Sequence, residues 1–165
     1  MEVFTPSDLE NLPPRARRGI VLGRFQPFHK GHFAIMNKAL EHCENLSVII
    51  GCTHNKCDPR NPLDFPMRCA AITKWMAGCV EIFPLYDKPT DEEWLADFFV
   101  LFPEQGEYLI FTGSLDDVEF FKDLNLPGFA LVVVDRFSEG LKAYSGTRIR
   151  ELQSQNNPLW RTMIP

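Results

Sequence analysis

The sequence predicts an α/β fold: a doubly wound, five-stranded parallel sheet with helices on both faces, in three layers. Three observations carry that reading. Short apolar runs alternate along the chain with amphipathic stretches of helical length. The apolar runs, such as Leu46-Ser47-Val48-Ile49-Ile50, scarcely alternate with polar residues, which suits strands buried on both faces. Gly23 and Gly113 stand at the ends of two of these runs, where such sheets bind their ligands.

The elements follow in order. Residues 1–18 are polar, carry Pro13-Pro14 before Arg15, Arg17 and Arg18, and lack the apolar stretch of a secretory leader. They read as an N-terminal extension or loosely docked arm, with the arginines a solvated cluster. A single domain is expected over residues 19–165. Residues 20–23 form the first strand and 30–43 an amphipathic helix. Residues 46–51 form the second strand. A loop with Pro59 and Pro62 leads to a helix over 65–76, capped by Asp64 with Pro66 in its first turn. Residues 80–84 are the third strand, and 91–101 a helix that opens on acids as a helix start should. Residues 108–112 are the fourth strand, 115–122 a helix, 129–134 the fifth strand and 146–153 the last helix.

Composition excludes several classes of function. Seventeen basic against 22 acidic residues give a net charge of -5, so no broad nucleic-acid footprint is expected and any anion site must be local. No segment is long and apolar enough to span a membrane. Cys43, Cys52, Cys57, Cys69 and Cys79 are an odd set, read as reduced thiols of a cytoplasmic protein. Cys52, His54 and Cys57 are close enough to raise zinc. A closed zinc site takes four ligands, however, and Cys69 would have to supply the last from a separate helix. Thiols in and beside a loop is the reading adopted.

The chemistry concentrates in Gly23-Arg24-Phe25-Gln26-Pro27-Phe28-His29-Lys30-Gly31-His32, between the first strand and the first helix. A helix N-terminus carries free N–H groups and partial positive charge, which attract phosphate. His29 and His32, with Arg24 and Lys30, add four donors there. Zinc is the rival reading of the two histidines, but no carboxylate or cysteine stands at suitable spacing. Phosphate binding is therefore favoured. The G-x-x-x-x-G-K-[ST] and G-x-G-x-x-G loops are absent, as is a nucleophile elbow. A second cradle is read in Ser145-Gly146-Thr147-Arg148-Ile149-Arg150: Ser145 as an N-cap, Thr147 as a hydroxyl donor, Arg150 one turn in. It follows the fifth strand, so it can face the first cradle across the carboxyl edge of the sheet.

These two segments resemble the nucleotidylyltransferase superfamily, marked by an H-x-G-H-type motif after the first strand and an Arg-containing, Ser/Thr-rich motif opening a late helix. The resemblance narrows to the archaeal-type nicotinamide mononucleotide (NMN) adenylyltransferases. It rests on the G-R-F-Q-P-x-H-K-G-H opening, Asn61-Pro62-Leu63 followed by Arg68, and Pro84, Asp87 and Trp94. Phe111-Thr112-Gly113 and the tail Pro158-Leu159-Trp160 with Ile164-Pro165 add to it. It implies a Rossmann-like nucleotidylyltransferase fold, with ATP and NMN as substrates and NAD and pyrophosphate as products. The Nudix box of the bacterial fusion relatives is absent. Asp91, Met67 and the Cys52–Asn61 loop depart from the family pattern, which bears on the acceptor more than on ATP.

The resemblance implies roles residue by residue. His29, His32 and Arg150 would be catalytic. ATP would be held by Gly23, Arg24, Phe25, His29, His32, Gly113, Ser145, Thr147 and Arg150, and NMN by Arg24, Asp87 and Trp94. Mg²⁺ would ride on the ATP phosphates, with no protein metal site. Trp94 has two readings: a ring stacked on nicotinamide, or a core residue of an amphipathic helix beside Leu95, Phe98 and Phe99. Rival functions are a phosphopantetheine adenylyl- or a cytidylyltransferase, a nucleotide-binding regulator without turnover, and an oligomeric scaffold. Homo-oligomerisation is left open.

Overall fold

The computed structural model describes residues 1–10, 18–51, 58–103, 106–114, 118, 121, 124, 126–134 and 144–165. Cys52, His54, Cys57 and most of the helix expected over 115–122 lie outside them. The described elements are β1 (Glu2–Phe4), α1 (Pro6–Leu9), β2 (Arg18–Gly23), α2 (Lys30–His42), β3 (Asn45–Gly51) and α3 (Phe65–Met76). After these come β4 (Val80–Leu85), α4 (Asp91–Leu101), β5 (Tyr108–Thr112), β6 (Phe129–Val133), α5 (Gly146–Ser154) and a closing 3-10 turn (Pro158–Met163).

The sheet is parallel throughout, in the order β1-β6-β5-β2-β3-β4. Chain order runs outward from β2 through β3 to β4, then restarts on the other side with β5 and β6. The reversal at β2 opens a crevice at the carboxyl ends of β2 and β5. The expected five strands become six. The sixth is β1, in the segment read as an arm, with Glu2, Val3 and Phe4 in register with Ala130, Leu131 and Val132. Three residues are too few for an alternating pattern, and β1 forms only because β6 offers it an edge.

Alternation along the strands builds two cores. Val21, Val48, Ile50, Phe111 and Val132 pack with Ile35, Met36 and Ala39 of α2 and Ile72 and Met76 of α3. Ile20, Ile49, Ile110 and Leu131 face the other way, onto Phe98 and Phe102, with Val118 and Phe121. Each central strand thus spends its odd residues on one face and its even residues on the other, which is why its sequence reads as a solid apolar run. The closing turn lays Met163 against Ile149 and Leu152 of α5 in a small third cluster.

Local signals place the helix starts. Asp64 accepts from Met67 N at 2.8 Å at the head of α3. Thr90 accepts from Glu93 N at 3.3 Å at α4, and Ser145 from Arg148 N at 3.1 Å at α5. Among the described residues no helix is long and apolar enough to cross a membrane.

Candidate active site

A cleft of about 790 Å³ opens at the β2/β5 crevice. It is lined by Gly23, Arg24, Phe25, His29, His32, Asp87, Trp94, Gly113, Thr147 and Arg150, which the sequence had placed in the site. Ser145 stands just behind this wall as the cap of α5.

His29 is not inside α2 but is its N-cap, with extended backbone (φ -147°, ψ 172°). Its Nδ1 accepts from Gly31 N at 3.1 Å. In the neutral ring the proton then sits on Nε2, which makes that nitrogen a donor. His32 lies one turn along, its ring stacked on that of His29 with centroids 3.7 Å apart. The glycine between them is steric: a Cβ at residue 31 would come to 3.0 Å from the His29 ring.

Phe25 holds the other side of His32, edge-on at 4.7 Å between centroids. Phe25 is buried with φ +50°, a left-handed conformation that a side chain-bearing residue seldom adopts. Its ring also covers Gly23, so that glycine makes room for Phe25 as well as for a ligand.

Arg150 donates Nη1 to the carbonyl of Gln26 and Nη2 to Thr147 Oγ1 at 3.2 Å. Arg148, two positions earlier, points elsewhere and pairs with exposed Glu151 at 3.3 Å. The N-terminus of α5 meets the β2–α2 loop closely: a Cβ on Gly146 would fall 2.6 Å from the Gln26 carbonyl oxygen. The two phosphate cradles read from the sequence are therefore packed against each other.

On the far side of the cleft stand Asp87, Trp94, Arg60 and Asn61. Trp94 is half-buried, stacked on Phe98 at 5.5 Å and edge-on to Phe121 at 6.0 Å. It is a core residue and a wall residue together, so its two sequence readings do not exclude each other. The β4–α4 connection is tied to α4 by Lys88 and Asp97 at 2.7 Å. The hydrogen bond that Lys88 donates to Asp97 pushes the Lys88 pKa upward. Gly113 lies within a turn in which Thr112 Oγ1 donates to Ser114 O at 2.7 Å. Met67 is 55% exposed and Asp91 is exposed, and neither lines the cleft.

Four contributors carried no site role in the sequence reading, although Gln26, Asn61 and Arg68 stand in its motifs. Arg60 and Asn61 line the cleft from a turn closed by Asp58, whose carboxylate accepts from Arg60 N at 2.7 Å and Asn61 N at 2.8 Å. Hydrogen bonds from the Asn61 side chain and from the backbone hold the Asp58 carboxyl below its ordinary range. Asp-Pro before a polar pair was the available turn signal. Gln26 and Arg68 act from behind. Arg68, 1% exposed, donates Nη1 to Arg24 O at 3.0 Å and Gly51 O at 2.9 Å, joining the carboxyl ends of β2 and β3. Nothing local in the sequence announces a contact between residues so far apart.

Among the described residues no three His, Cys, Asp or Glu side chains gather into a metal site. Among the described residues Asp87 is the only acid on the cleft wall, against Arg24, Arg60 and Arg150. This donor set suits a polyanion, and a divalent cation only as a companion of that polyanion's own oxygens.

Comparison with known proteins agrees with this architecture. The nicotinamide-nucleotide adenylyltransferase of Ignicoccus hospitalis is 29% identical over 154 residues, covering 90% of this chain and 86% of its own length. The enzyme called nicotinamide-nucleotide adenylyltransferase 1 in Sulfolobus acidocaldarius is 26% identical over 159 residues, covering 90% and 84%. The fold matches a bifunctional NMN adenylyltransferase/ADP ribose pyrophosphatase from Francisella tularensis at a TM-score of 0.72 and 24% identity, over 85% of this chain and 42% of that one. The same bifunctional protein, solved with AMP and a manganese ion, gives 0.70 at 23% identity, over 90% and 44%. The chain thus spans less than half of that two-activity protein. The Cytidylyltransferase-like pattern runs unbroken from residue 20 in β2 to residue 152 in α5, through both cradles and the cleft between them, and the chain belongs to that family.

Proposed function

We infer that this protein is a nucleotidyltransferase that moves the adenylyl group of ATP to nicotinamide mononucleotide, forming NAD and pyrophosphate. The observation that carries the reading is the meeting of two helix N-termini, α2 with its stacked histidines and α5 with Thr147 and Arg150, at one sheet crevice. The names of the relatives supply the acceptor.

The phosphate of NMN attacks the α-phosphorus of ATP, the α–β bridging bond breaks, and its electron pair leaves on pyrophosphate. The nucleophile is already an anion, so no general base and no covalent intermediate are needed. The protein contributes position and charge stabilisation. His29 and His32 are assigned to ATP phosphates, with His32 nearest the α-phosphate. Arg24 and Arg150 hold the triphosphate and the departing pyrophosphate, as forks that stay charged. Thr147 donates its hydroxyl, and Ser145 keeps the first turn of α5 in place. Gly23, Phe25 and Gly113 shape the adenosine end. Arg24, Asp87 and Trp94 receive NMN, whose cationic ring gains about 0.5–2 kcal/mol over indole.

Mg²⁺ would supply charge neutralisation on the triphosphate and would take its ligands from phosphate oxygens and water rather than from side chains of this protein. The manganese ion in the Francisella tularensis relative supports a divalent cation without deciding which one.

The test is incubation of the purified chain with ATP, Mg²⁺ and, in turn, NMN, phosphopantetheine and CTP with choline phosphate, following pyrophosphate. Release with NMN and formation of NAD are expected. Release only with another pair would overturn the acceptor assignment, and none with any pair would favour a regulator.

A further inference from the structure

We propose that Gln26 is a positioning residue that joins the two walls of the cleft, holding Arg150 on the donor side and the 58–63 segment on the acceptor side. The proposal rests on the adenylyl-transfer reading above. Gln26 is 5% exposed although it lies on a loop. Its side-chain amide pairs with the backbone of Leu63 in both directions: Nε2 donates to Leu63 O at 2.7 Å, and Oε1 accepts from Leu63 N at 2.9 Å. This is the pairing that one strand residue offers another, made here by a side chain. The main-chain carbonyl of the same residue accepts from Arg150.

The turn before Leu63 is braced within itself. Asn61 N donates to Asp58 O at 3.0 Å and Asp58 N to Asn61 O at 3.3 Å. The Asp58 carboxylate accepts from one further backbone donor, Arg60 N, and shares Asn61 N with the Asp58 carbonyl. The turn therefore moves as a unit, and Pro62 stiffens its link to Leu63. At the other end Asp64 is fixed as the cap of α3. Leu63 is where the unit is tied to the rest of the cleft, and Gln26 makes that tie. It decides whether Arg60 and Asn61 stand at the acceptor end.

The two halves of Gln26 separate by mutation. A change of side chain removes the pairing with Leu63 and leaves the carbonyl that holds Arg150. Arg68 independently grips Arg24 O. Donor binding should therefore survive while acceptor binding fails, a split that general destabilisation would not produce.

The experiment is steady-state kinetics with ATP, Mg²⁺ and NMN on the full chain, comparing the wild type with Gln26→Met and Gln26→Glu, with calorimetric melting alongside. Met keeps the length and makes neither hydrogen bond. Glu keeps the acceptor for Leu63 N but sets a carboxylate against Leu63 O, and it carries the test if Met fails to fold. For either variant the NMN KM should rise about 10-fold, with the ATP KM and kcat within about 2-fold of wild type. An equal rise in both KM values, or a lower Tm with both KM values unchanged, would overturn the role of Gln26 alone. Absence of NAD from the wild-type chain would instead overturn the activity, and this proposal with it.

Discussion

Arg150 and Arg148 stand two positions apart on one helix and have opposite fates. Arg150 bends to the cleft, onto Gln26 O and Thr147, while Arg148 pairs with Glu151 on the surface, with side chains 53% and 52% exposed. Exposed pairs of that kind contribute little. Arg150→Ala should therefore lower kcat/KM by about 30- to 1000-fold, the worth of a charge-assisted contact made in the transition state, about 2–4 kcal/mol. Arg148→Ala should stay within about 3-fold, because one exposed ion pair is all it loses. Equal losses in a pyrophosphate-release assay would remove Arg150 from the chemistry. On the proposed mechanism His32 meets charge that grows during transfer, so His32→Ala should reduce kcat and leave the NMN KM nearly unchanged. A rise in the NMN KM with kcat preserved would place His32 at the acceptor instead.

Whole elements carry the site through their ends. The first turn of α5 bears Gly146 and Thr147, is capped by Ser145, and is followed at once by Arg150. Ser145→Ala should cost about 1 kcal/mol of stability, a Tm lower by about 3 °C. Ser145→Asp provides the sharper test, since aspartate caps a helix as well as serine does. Its Tm should match wild type while the ATP KM rises, because a carboxylate then stands behind the phosphate site. An unchanged ATP KM would mean that the N-terminus of α5 does not hold phosphate. Trp94 couples α4 to both the core and the cleft. Trp94→Ala should lower stability by about 2 kcal/mol, less than a fully buried aromatic. It should also raise the NMN KM severalfold, by about 0.5–2 kcal/mol of lost ring contact. If the folded variant keeps the wild-type NMN KM, Trp94 is packing alone.

At the scale of the whole molecule the cleft has two ends: Arg24, Arg150 and the two histidines line the β2–α2 and α5 side, and Asp87 and Trp94 stand with Arg60 and Asn61 on the other. A phosphate ester with a cationic ring at its far end matches that arrangement from end to end. No described group of three ligating side chains forms a protein metal cage. Chelation of divalent cations should therefore stop NAD formation while leaving the Tm of the protein unchanged. A Tm that falls with chelator would reveal a structural ion and contradict a metal carried on the substrate.

The sequence by itself determined the alternation of strands and helices, the helix caps at Asp64 and Ser145, and the two donor-rich segments read as phosphate cradles. These are local quantities: a 2.0 or 3.6 period, a Ser or Asp before a helix, donors clustered at a helix start. It also brought the cleft residues onto one list, because strands of a parallel sheet must end on the same edge. Tertiary structure alone decided what lies behind that list. β1 is a strand only because β6 presents a free edge. Arg68 and Gln26 are ordinary in their own segments, and acquire their roles from carbonyl and amide groups 17 to 44 residues away. His29 belongs to the cap rather than to the helix face, since its imidazole takes the Gly31 N–H. Long-range backbone partners have no period and no local signature, so no reading of neighbours along the chain could have found them.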